Sequence, residues 1–172
     1  MQLPIIDSRS YKYMKILVFS DSHGNTSRMK EAIEMHGASC KMIIHLGDGV
    51  RDISYVSSFF PEIPVISLNG NGESLKRDVR IFDECGVRFM CMHGHSYNVK
   101  LGLNRAVYAA MEAEADVLLY GHTHTAYDSY VPYENGKYLK VFNPGSVGRG
   151  YPPTYGIIEV SRGQVLTSHG RF

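Results

Sequence analysis

Five short apolar runs in this chain each end in a polar, glycine-containing turn that carries Asp, Asn or His, and this recurrence constrains the fold more than any other feature. The first run, Ile16-Leu17-Val18-Phe19, reads as a buried parallel strand and leads into Ser20-Asp21-Ser22-His23-Gly24-Asn25. Asn25 or Thr26 then opens a helical pattern, which puts Asp21 and His23 at a strand's carboxyl end. In open α/β sheets ligands bind along that edge, because the loops leaving the strands form a crevice lined by helix N-termini. Two residues apart, Asp21 and His23 can reach one metal ion. An isolated Asp-x-His is ordinarily turn chemistry with the aspartate as a cap. Four later segments change that reading.

From residue 27 to 36, Met29, Ala32, Ile33 and Met35 recur at helical spacing and Gly37 supplies a stop, which predicts the first covering helix. Lys41-Met42-Ile43-Ile44-His45-Leu46 is the second run, ending at Gly47-Asp48-Gly49. A strand-helix-strand unit of this length implies a right-handed parallel crossover, so Asp21 and Asp48 are expected at neighbouring strand ends. Taken alone, Gly-Asp-Gly is also a plain turn. Residues 52–60 read as a short helix stopped by Pro61. Pro64-Val65-Ile66-Ser67-Leu68 is the third run and ends at Asn69-Gly70-Asn71-Gly72-Glu73. Asn71 there offers a neutral oxygen donor, with a bare hairpin turn as the alternative.

Residues 79–82 and 87–92 read as an antiparallel hairpin about Cys85-Gly86, whose second arm runs straight into His93-Gly94-His95. Residues 104–115, with Asn104 as N-cap, predict a helix leading to Val117-Leu118-Leu119-Tyr120, which ends at Gly121-His122-Thr123-His124. Beyond this the pattern alternates. Strands are expected over 126–131, 138–142, 155–160 and 165–168, with turns at Glu134-Asn135-Gly136 and Arg162-Gly163 and an ordered loop at Asn143-Pro144-Gly145-Ser146. The last third is therefore read as mostly antiparallel.

At 172 residues the chain suits one domain with a single core, and 44% hydrophobic with 20% charged residues is ordinary for a globular protein. No run approaches the roughly 18 apolar residues of a membrane span, so no membrane partner is expected. The 18 basic and 17 acidic residues leave a formal charge of +1, which argues against a strong nucleic-acid surface. Any phosphate binding must then come from a local site. Cys40, Cys85 and Cys91 are an odd set without a C-x-x-C pair, which favours free thiols and a cytoplasmic setting. Residues 1–13 lack the apolar region and cleavage site of a signal peptide. They read as an N-terminal extension or a misassigned start ahead of a single domain over 14–172.

Five of the eight histidines fall in three short loops, each following a core strand. His36, His45 and His169 lie outside these loops and read as structural. For His93, His122 and His124, the repeated meeting of carboxylates, an amide and imidazoles on one edge points to metal ligation.

In this order, Asp21-x-His23, Gly47-Asp48, Gly70-Asn71-x-Glu73, His93-Gly94-His95 and Gly121-His122-x-His124 resemble the motifs of the calcineurin-like metallophosphoesterase superfamily. The short length and the closing Asn143-Pro144-Gly145-Ser146 are similar to its small YfcE-like prokaryotic phosphodiesterases, and the resemblance spans Met14 to the C-terminus. It implies a four-layer α/β/β/α fold, two packed mixed β-sheets flanked by helices, with a dinuclear metal centre at the strand ends. Carried over by motif, Asp21, His23 and His124 would hold one ion, Asn71, His93 and His122 the other, and Asp48 would bridge them. Two divalent ions about 3.5–4 Å apart repel and need a shared anion, which one carboxylate and a bridging hydroxide supply. Mixed oxygen and imidazole donors suit manganese, nickel, iron or zinc, manganese being the expected ion, and the absence of cysteine argues against a structural zinc.

The implied reaction is in-line attack of that hydroxide on a phosphodiester of a small or nucleotide-derived substrate, with both ions stabilising the phosphoryl oxygens and no covalent intermediate. Asp48 and Asn71 count as catalytic in this scheme. The chain departs from the family at Gly72, where relatives often carry histidine or cysteine. Glycine can neither position the phosphate nor protonate the leaving group. His95 is the nearest substitute, either as that acid or as a residue that orients His93. The rival readings are a phosphomonoesterase or protein phosphatase, and a non-catalytic interaction scaffold of the kind some relatives form in membrane-coat assemblies after losing metal-site histidines. Here every ligand position is filled, which favours catalysis. Asn25, Tyr97, Arg149 and Tyr151 lie near the motif loops and are candidate substrate contacts. Tyr127, Tyr130, Tyr133 and Tyr138 fit either a homo-oligomer interface or the exposed face of an antiparallel sheet.

Overall fold

Both faces of the first strand are buried, and this sets the layering. In β1 (Tyr13–Phe19), Ile16 and Val18 join one core cluster while Leu17 and Phe19 join another. Side chains alternate along a strand, so a continuous apolar run requires cover on both sides. The structure, a computed structural model, describes residues 13–73, 78–133 and 136–172. After β1 come α1 (Thr26–His36), β2 (Cys40–His45), α2 (Val50–Ser57), β3 (Val65–Ser67), β4 (Val79–Glu84), β5 (Val87–Met92), α3 (Asn104–Glu112), β6 (Val117–Tyr120), β7 (Ala126–Pro132), β8 (Tyr138–Pro144), β9 (Thr154–Ser161) and β10 (Gln164–Arg171).

Two five-stranded mixed sheets result, ordered β10-β9-β1-β2-β3 and β4-β5-β6-β8-β7. Each has a parallel centre. β1, β2 and β3 run parallel in the first sheet, with Phe19 beside His45 and His45 beside Ser67, while β5, β6 and β8 run parallel in the second. Ile16, Val18 and Ile44 meet Phe89, Leu119 and Phe142 between the sheets. Leu17, Phe19 and Ile43 pack under Met29, Ala32 and Ile33 of α1 and Ile53 and Val56 of α2. On the far side Met92, Leu118 and Val141 pack under Ala106 and Ala110 of α3. Full burial of each large apolar side chain stabilises the fold by about 1.5–3 kcal/mol. The expected four-layer α/β/β/α architecture is what forms.

Most expected elements lie where the pattern put them. Asn25 caps α1 by accepting the Arg28 N–H at 3.3 Å, and Gly37, at φ 49°, closes it with an N–H to Ile33. The β4–β5 hairpin turns through Cys85 and Gly86, both at positive φ, as a two-residue turn matched to strand twist requires. Five details differ. α2 spans Val50–Ser57 and not the expected 52–60, because the N–H groups of Ser58, Phe59 and Phe60 turn to carbonyls three residues back and end the α-helical ladder. Leu103, held in the core under α3, occupies the N-cap and makes no side-chain cap, so Asn104 is the first helical residue and not the cap. Glu114, at φ 54°, ends that helix before Ala115. Asn143 and Pro144 belong to β8, where Pro144 pairs with Ala126 on the β7 side and gives its carbonyl to Thr154, instead of lying in a loop. Tyr13 already pairs with Ser161, one residue ahead of the expected domain start. Residues 1–12, and Glu134 and Asn135 of the expected turn, lie outside the described residues.

Among the described residues no helix is long and apolar enough to cross a membrane. Cys40 and Cys91 are buried free thiols, and burial pushes both up from their ordinary pKa. Tyr127, Tyr130 and Tyr138 are exposed, whereas Tyr133 turns inward and donates to the Ala115 carbonyl at 3.0 Å, so it does not belong to that face.

Candidate metal centre

The carboxyl ends of β1, β2 and β3 and those of β5 and β6 open at one edge of the sandwich, and the five polar turns converge there. Backbone bonds knit the turns together, from the Asp21 N–H to Gly47 at 3.0 Å and from the Gly121 N–H to His93 at 3.1 Å. Two ligand groups result, Asp21 with His23 and His124, and Asp48 with His93 and His122, each with its donor atoms within 4.8 Å of one another. In the first, Oδ1 of Asp21 lies 3.2 Å from Nε2 of His124 and 4.0 Å from Nε2 of His23. In the second, Nε2 of His93 lies 3.1 Å from Nδ1 of His122 and 3.3 Å from Oδ1 of Asn71. Oδ2 of Asp48 stands between them, 4.0 Å from Nε2 of His23 and 3.7 Å from Nε2 of His93. The structure thus brings together all seven expected ligands, in the expected two sets.

The surroundings prepare these atoms for a cation. Oδ2 of Asp21 accepts from the Ser20 hydroxyl at 2.5 Å and from the His122 N–H at 3.0 Å, whereas its buried Oδ1 has no hydrogen-bond partner among the described residues. A buried carboxylate oxygen left in that state is costly unless a cation meets it. Nδ1 of His93 lies 2.7 Å from the Leu46 carbonyl, so the ring N–H must point there and Nε2 turns its lone pair to the site. Burial, and then the neighbouring His93, hold His122 down at about 4; burial and then Arg149 hold His23 below its ordinary value. Neutral imidazoles are the form a metal takes. Oxygen and nitrogen donors in two facing sets fit divalent first-row ions.

The backbone is strained at the same residues. Asp21, His23, Asp48, His122 and His124 have φ of 52°, 44°, 55°, 67° and 61°. Each non-glycine residue in this left-handed region costs about 1–3 kcal/mol and persists where its surroundings over-determine it. Gly70 and Gly121 allow the close approach. A Cβ at Gly70 would stand 1.9 Å from Oδ1 of Asp48, and one at Gly121 would stand 2.0 Å from the Ser20 hydroxyl.

The model of the calcineurin-like phosphoesterase superfamily domain matches residues 14–163. The chain belongs to the calcineurin-like phosphoesterase superfamily. The chain is 29% identical over 164 residues to a probable metallophosphoesterase of Mycoplasma pneumoniae, covering 90% of this chain and 96% of that one. It is 28% identical over 172 aligned residues to a phosphodiesterase of Methanocaldococcus jannaschii, at 87% and 95% coverage. Its fold is similar to that of a conserved Streptococcus pneumoniae protein described as a predicted phosphoesterase (TM-score 0.69, 22% identity, 94% and 99% coverage). It is also similar to that of vacuolar protein sorting 29 of Cryptosporidium parvum (TM-score 0.67, 16% identity, 93% and 98% coverage).

The roles of several supporting residues escape a reading of the sequence. Glu73 draws the ligand loops together: its Oε1 accepts from the N–H groups of Gly49 and Val50 at 2.9 and 2.6 Å, and its Oε2 from Gly70 at 2.6 Å. His45, read as structural, is buried beneath the site. Its Nδ1 accepts from the Gly47 N–H at 3.3 Å and its Nε2 lies 3.2 Å from the Ser22 hydroxyl, which donates to Asp52 at 2.6 Å. Burial holds its pKa down at about 4. Ser146 donates to the Asp21 carbonyl at 2.8 Å, and Asn143 donates to the Gly121 carbonyl at 3.1 Å, which gives the closing motif its place. His36 and His169 stay away from the centre, against Tyr155 and against the Asn143 carbonyl.

A cleft of about 780 Å³ opens over the ligands. Of the four candidate substrate contacts only Arg149 lines it, joined by Arg51 and Lys100, which carried no motif signal. Asn25 is occupied as the α1 cap, Tyr97 packs into the core under α3, and Tyr151 is fully exposed outside the lining. His95 sits in a single helical turn, His95–Tyr97, with its ring centroid 5.4 Å from that of His93 and 6.2 Å from that of His122. It does not line the cleft, and its Nε2 faces the Ser96 hydroxyl at 3.3 Å.

Proposed function

We propose that this phosphoesterase is a dinuclear metal-dependent phosphodiesterase, with Asp21, His23 and His124 holding one ion, Asn71, His93 and His122 the other, and Asp48 bridging. The observation that carries the reading is the position of Oδ2 of Asp48, within 4.0 Å of a histidine nitrogen from each set. Manganese is the expected ion, with nickel, iron and zinc served by the same donors. When bound, such a pair of ions supplies an activated water at neutral pH and compensates charge on the phosphoryl oxygens. The chain's own part is preorganisation. Ser20 and the His122 N–H fix Asp21, the Leu46 carbonyl fixes the tautomer of His93, and Glu73 holds the loops of Asp48 and Asn71 in register. His95 packs against His93, ring centroids 5.4 Å apart, and is assigned to orienting it. Gly72 brings no acid either, so the departing oxygen must leave largely by its own stability.

The M. jannaschii relative named as a phosphodiesterase supports the diester over the monoester. The test is metal titration of chelator-stripped protein with a chromogenic diester and the matching monoester. Diester hydrolysis is expected to rise to a plateau near two equivalents of manganese. A monoester cleaved faster would reassign the enzyme as a phosphomonoesterase, and no cleavage of either ester with any of the four metals would leave an interaction scaffold.

A further inference from the structure

We propose that the substrate carries a second phosphate besides the scissile one, gripped by Lys100 and Arg149 with Arg51 beside them; this rests on the phosphodiesterase reading. All three side chains line the cleft over the ligands, from three separate elements: the first turn of α2, the turn after His95–Tyr97, and the loop after β8. Among the described residues none of the three has an ion pair or a side-chain hydrogen bond, although Asp52 and Glu73 line the same cleft. Those carboxylates are occupied elsewhere. Asp52 accepts from the Ser22 hydroxyl and the Gly24 N–H at 2.6 and 2.7 Å, and Glu73 accepts from three backbone N–H groups. Three cations in a concave site whose neighbouring carboxylates are already engaged are set for an anion from outside.

Their disposition sets where that anion lies. Arg51, Lys100 and Arg149 share one cleft lining with His23, His122, His124 and Asp48, so an anion they hold lies over the same floor as the ligands. Two divalent ions outweigh the charges of Asp21 and Asp48, so a loaded centre already attracts the single negative charge of a diester. Arg51, Lys100 and Arg149 also outnumber Asp52 and Glu73, the lining carboxylates besides Asp48, so positive charge remains that a monoanion with neutral arms does not answer. A cleft of about 780 Å³ also has room for more than a dimethyl-sized ester, being in the range of roughly 300–1,000 Å³ that encloses nucleotide-sized ligands. A phosphate one sugar away from the scissile group answers that charge.

The experiment has a binding arm and a turnover arm. In the first, calorimetry on the metal-free protein compares thymidine 3′,5′-bisphosphate with thymidine 5′-monophosphate. The bisphosphate should bind at least about tenfold more tightly at low salt. That advantage should shrink as ionic strength shortens the screening length toward about 8 Å. It should fall to within about twofold in the double variant Lys100→Gln, Arg149→Gln. In the second, the manganese-loaded enzyme is given the p-nitrophenyl ester of thymidine 5′-phosphate with and without a 3′-phosphate; the scissile bond and leaving group are identical. kcat/KM should favour the phosphorylated ester, and the ratio should collapse in the double variant. Equal affinities, or a preference that survives in the double variant, would overturn the assignment while leaving the phosphodiesterase reading in place. A binding preference without hydrolysis of either ester would do the reverse.

Discussion

Glu73 is the residue whose removal most directly tests how the two sets of ligands are held in register. It accepts hydrogen bonds of 2.9, 2.6 and 2.6 Å from Gly49, Val50 and Gly70, and so ties the turn after β2, which carries Asp48, to the turn after β3, which carries Asn71. Hydrogen bonds to a charged acceptor contribute about 1.5–3 kcal/mol each, and a group left unpaired costs about 1–3 kcal/mol when buried. The site borders an open cleft, so water recovers part of this. Glu73→Ala is therefore expected to cost about 3 kcal/mol. Glu73→Gln keeps an oxygen for Gly49 and Val50 but points an NH2 group at the Gly70 N–H, for about 2 kcal/mol. For a chain of this size those losses lower Tm by about 6–12 °C and 4–8 °C. Thermal unfolding of metal-free protein measures the first effect. Manganese titration measures the second, a loss of about 10–100-fold in affinity as Asp48 and Asn71 lose their support. Wild-type Tm in both variants would show that the carboxylate holds nothing. A lowered Tm with unchanged metal affinity would show that Asp48 and Asn71 are placed without it, or are not ligands.

Asp48→Asn should leave the metal-free fold near wild type, since an amide oxygen can still accept from the Gly72 N–H, yet lower kcat/KM by more than about a hundredfold and reduce bound metal below wild-type stoichiometry. Full stoichiometry with wild-type turnover would remove Asp48 from the bridge. The metal-free protein should lose stability as pH falls from about 6.5 toward 4. In that window the unfolded chain protonates His45 while the folded chain, with His45 at about 4, does not, and the difference is on the order of 3 kcal/mol. Urea unfolding from pH 7 to 4.5 should show the slope and His45→Gln should reduce it, with His122 and His23, also held down, supplying the remainder; equal slopes would place the titration elsewhere. Gly72 is not at positive φ, and among the described residues a Cβ there would meet only Oδ1 of Asp48, at 3.6 Å, so Gly72→His should fold. That variant should speed esters with poor leaving groups more than activated ones, whereas His95→Ala should leave the wild-type leaving-group slope unchanged. A slope that steepens in His95→Ala would return His95 to the role of acid.

The legible parts of the chain are those where a local pattern has one structural solution. Ile16 to Phe19 and Val117 to Tyr120 are uniformly apolar because each strand is covered on both faces, and the turns after them stand out by contrast. The ligands were readable for the same reason: Asp21, Asp48, Asn71, His93 and His122 sit where an apolar run stops. Strand partnership was not readable. The four C-terminal strands read alike in sequence, yet β8 is buried on both faces between β6 and β7 in the second sheet while β9 crosses back to pair with β1, Tyr13 against Ser161. Alternation says which side of a strand is dry and nothing about its neighbour. Arg51 and Lys100 were missed because a lone cation in sequence looks like any solvated side chain; only the cleft distinguishes it. Glu73 stood in a motif, but its three partners are backbone groups of two turns, and backbone groups carry no residue signature.

The dependence of the site on both sheets explains why the strained backbone survives. The His122 N–H from the second sheet's edge meets Asp21 from the first, and the His93 ring in turn reaches the Leu46 carbonyl across the same seam. Gly121 can carry no Cβ because the Ser20 hydroxyl already fills that space. Each such contact fixes one sheet edge relative to the other, and the inter-sheet core of Ile16, Val18, Ile44, Phe89, Leu119 and Phe142 fixes the sheets themselves. Five left-handed residues at about 1–3 kcal/mol each would relax if their loops were free to move. They are not free, because relaxing Asp21 would break bonds to residues anchored on the opposite sheet. The rigidity that sets Asp48 between two groups of histidines therefore originates in apolar packing away from the ligands, and substitutions that shear the two sheets should weaken metal binding before they unfold the chain.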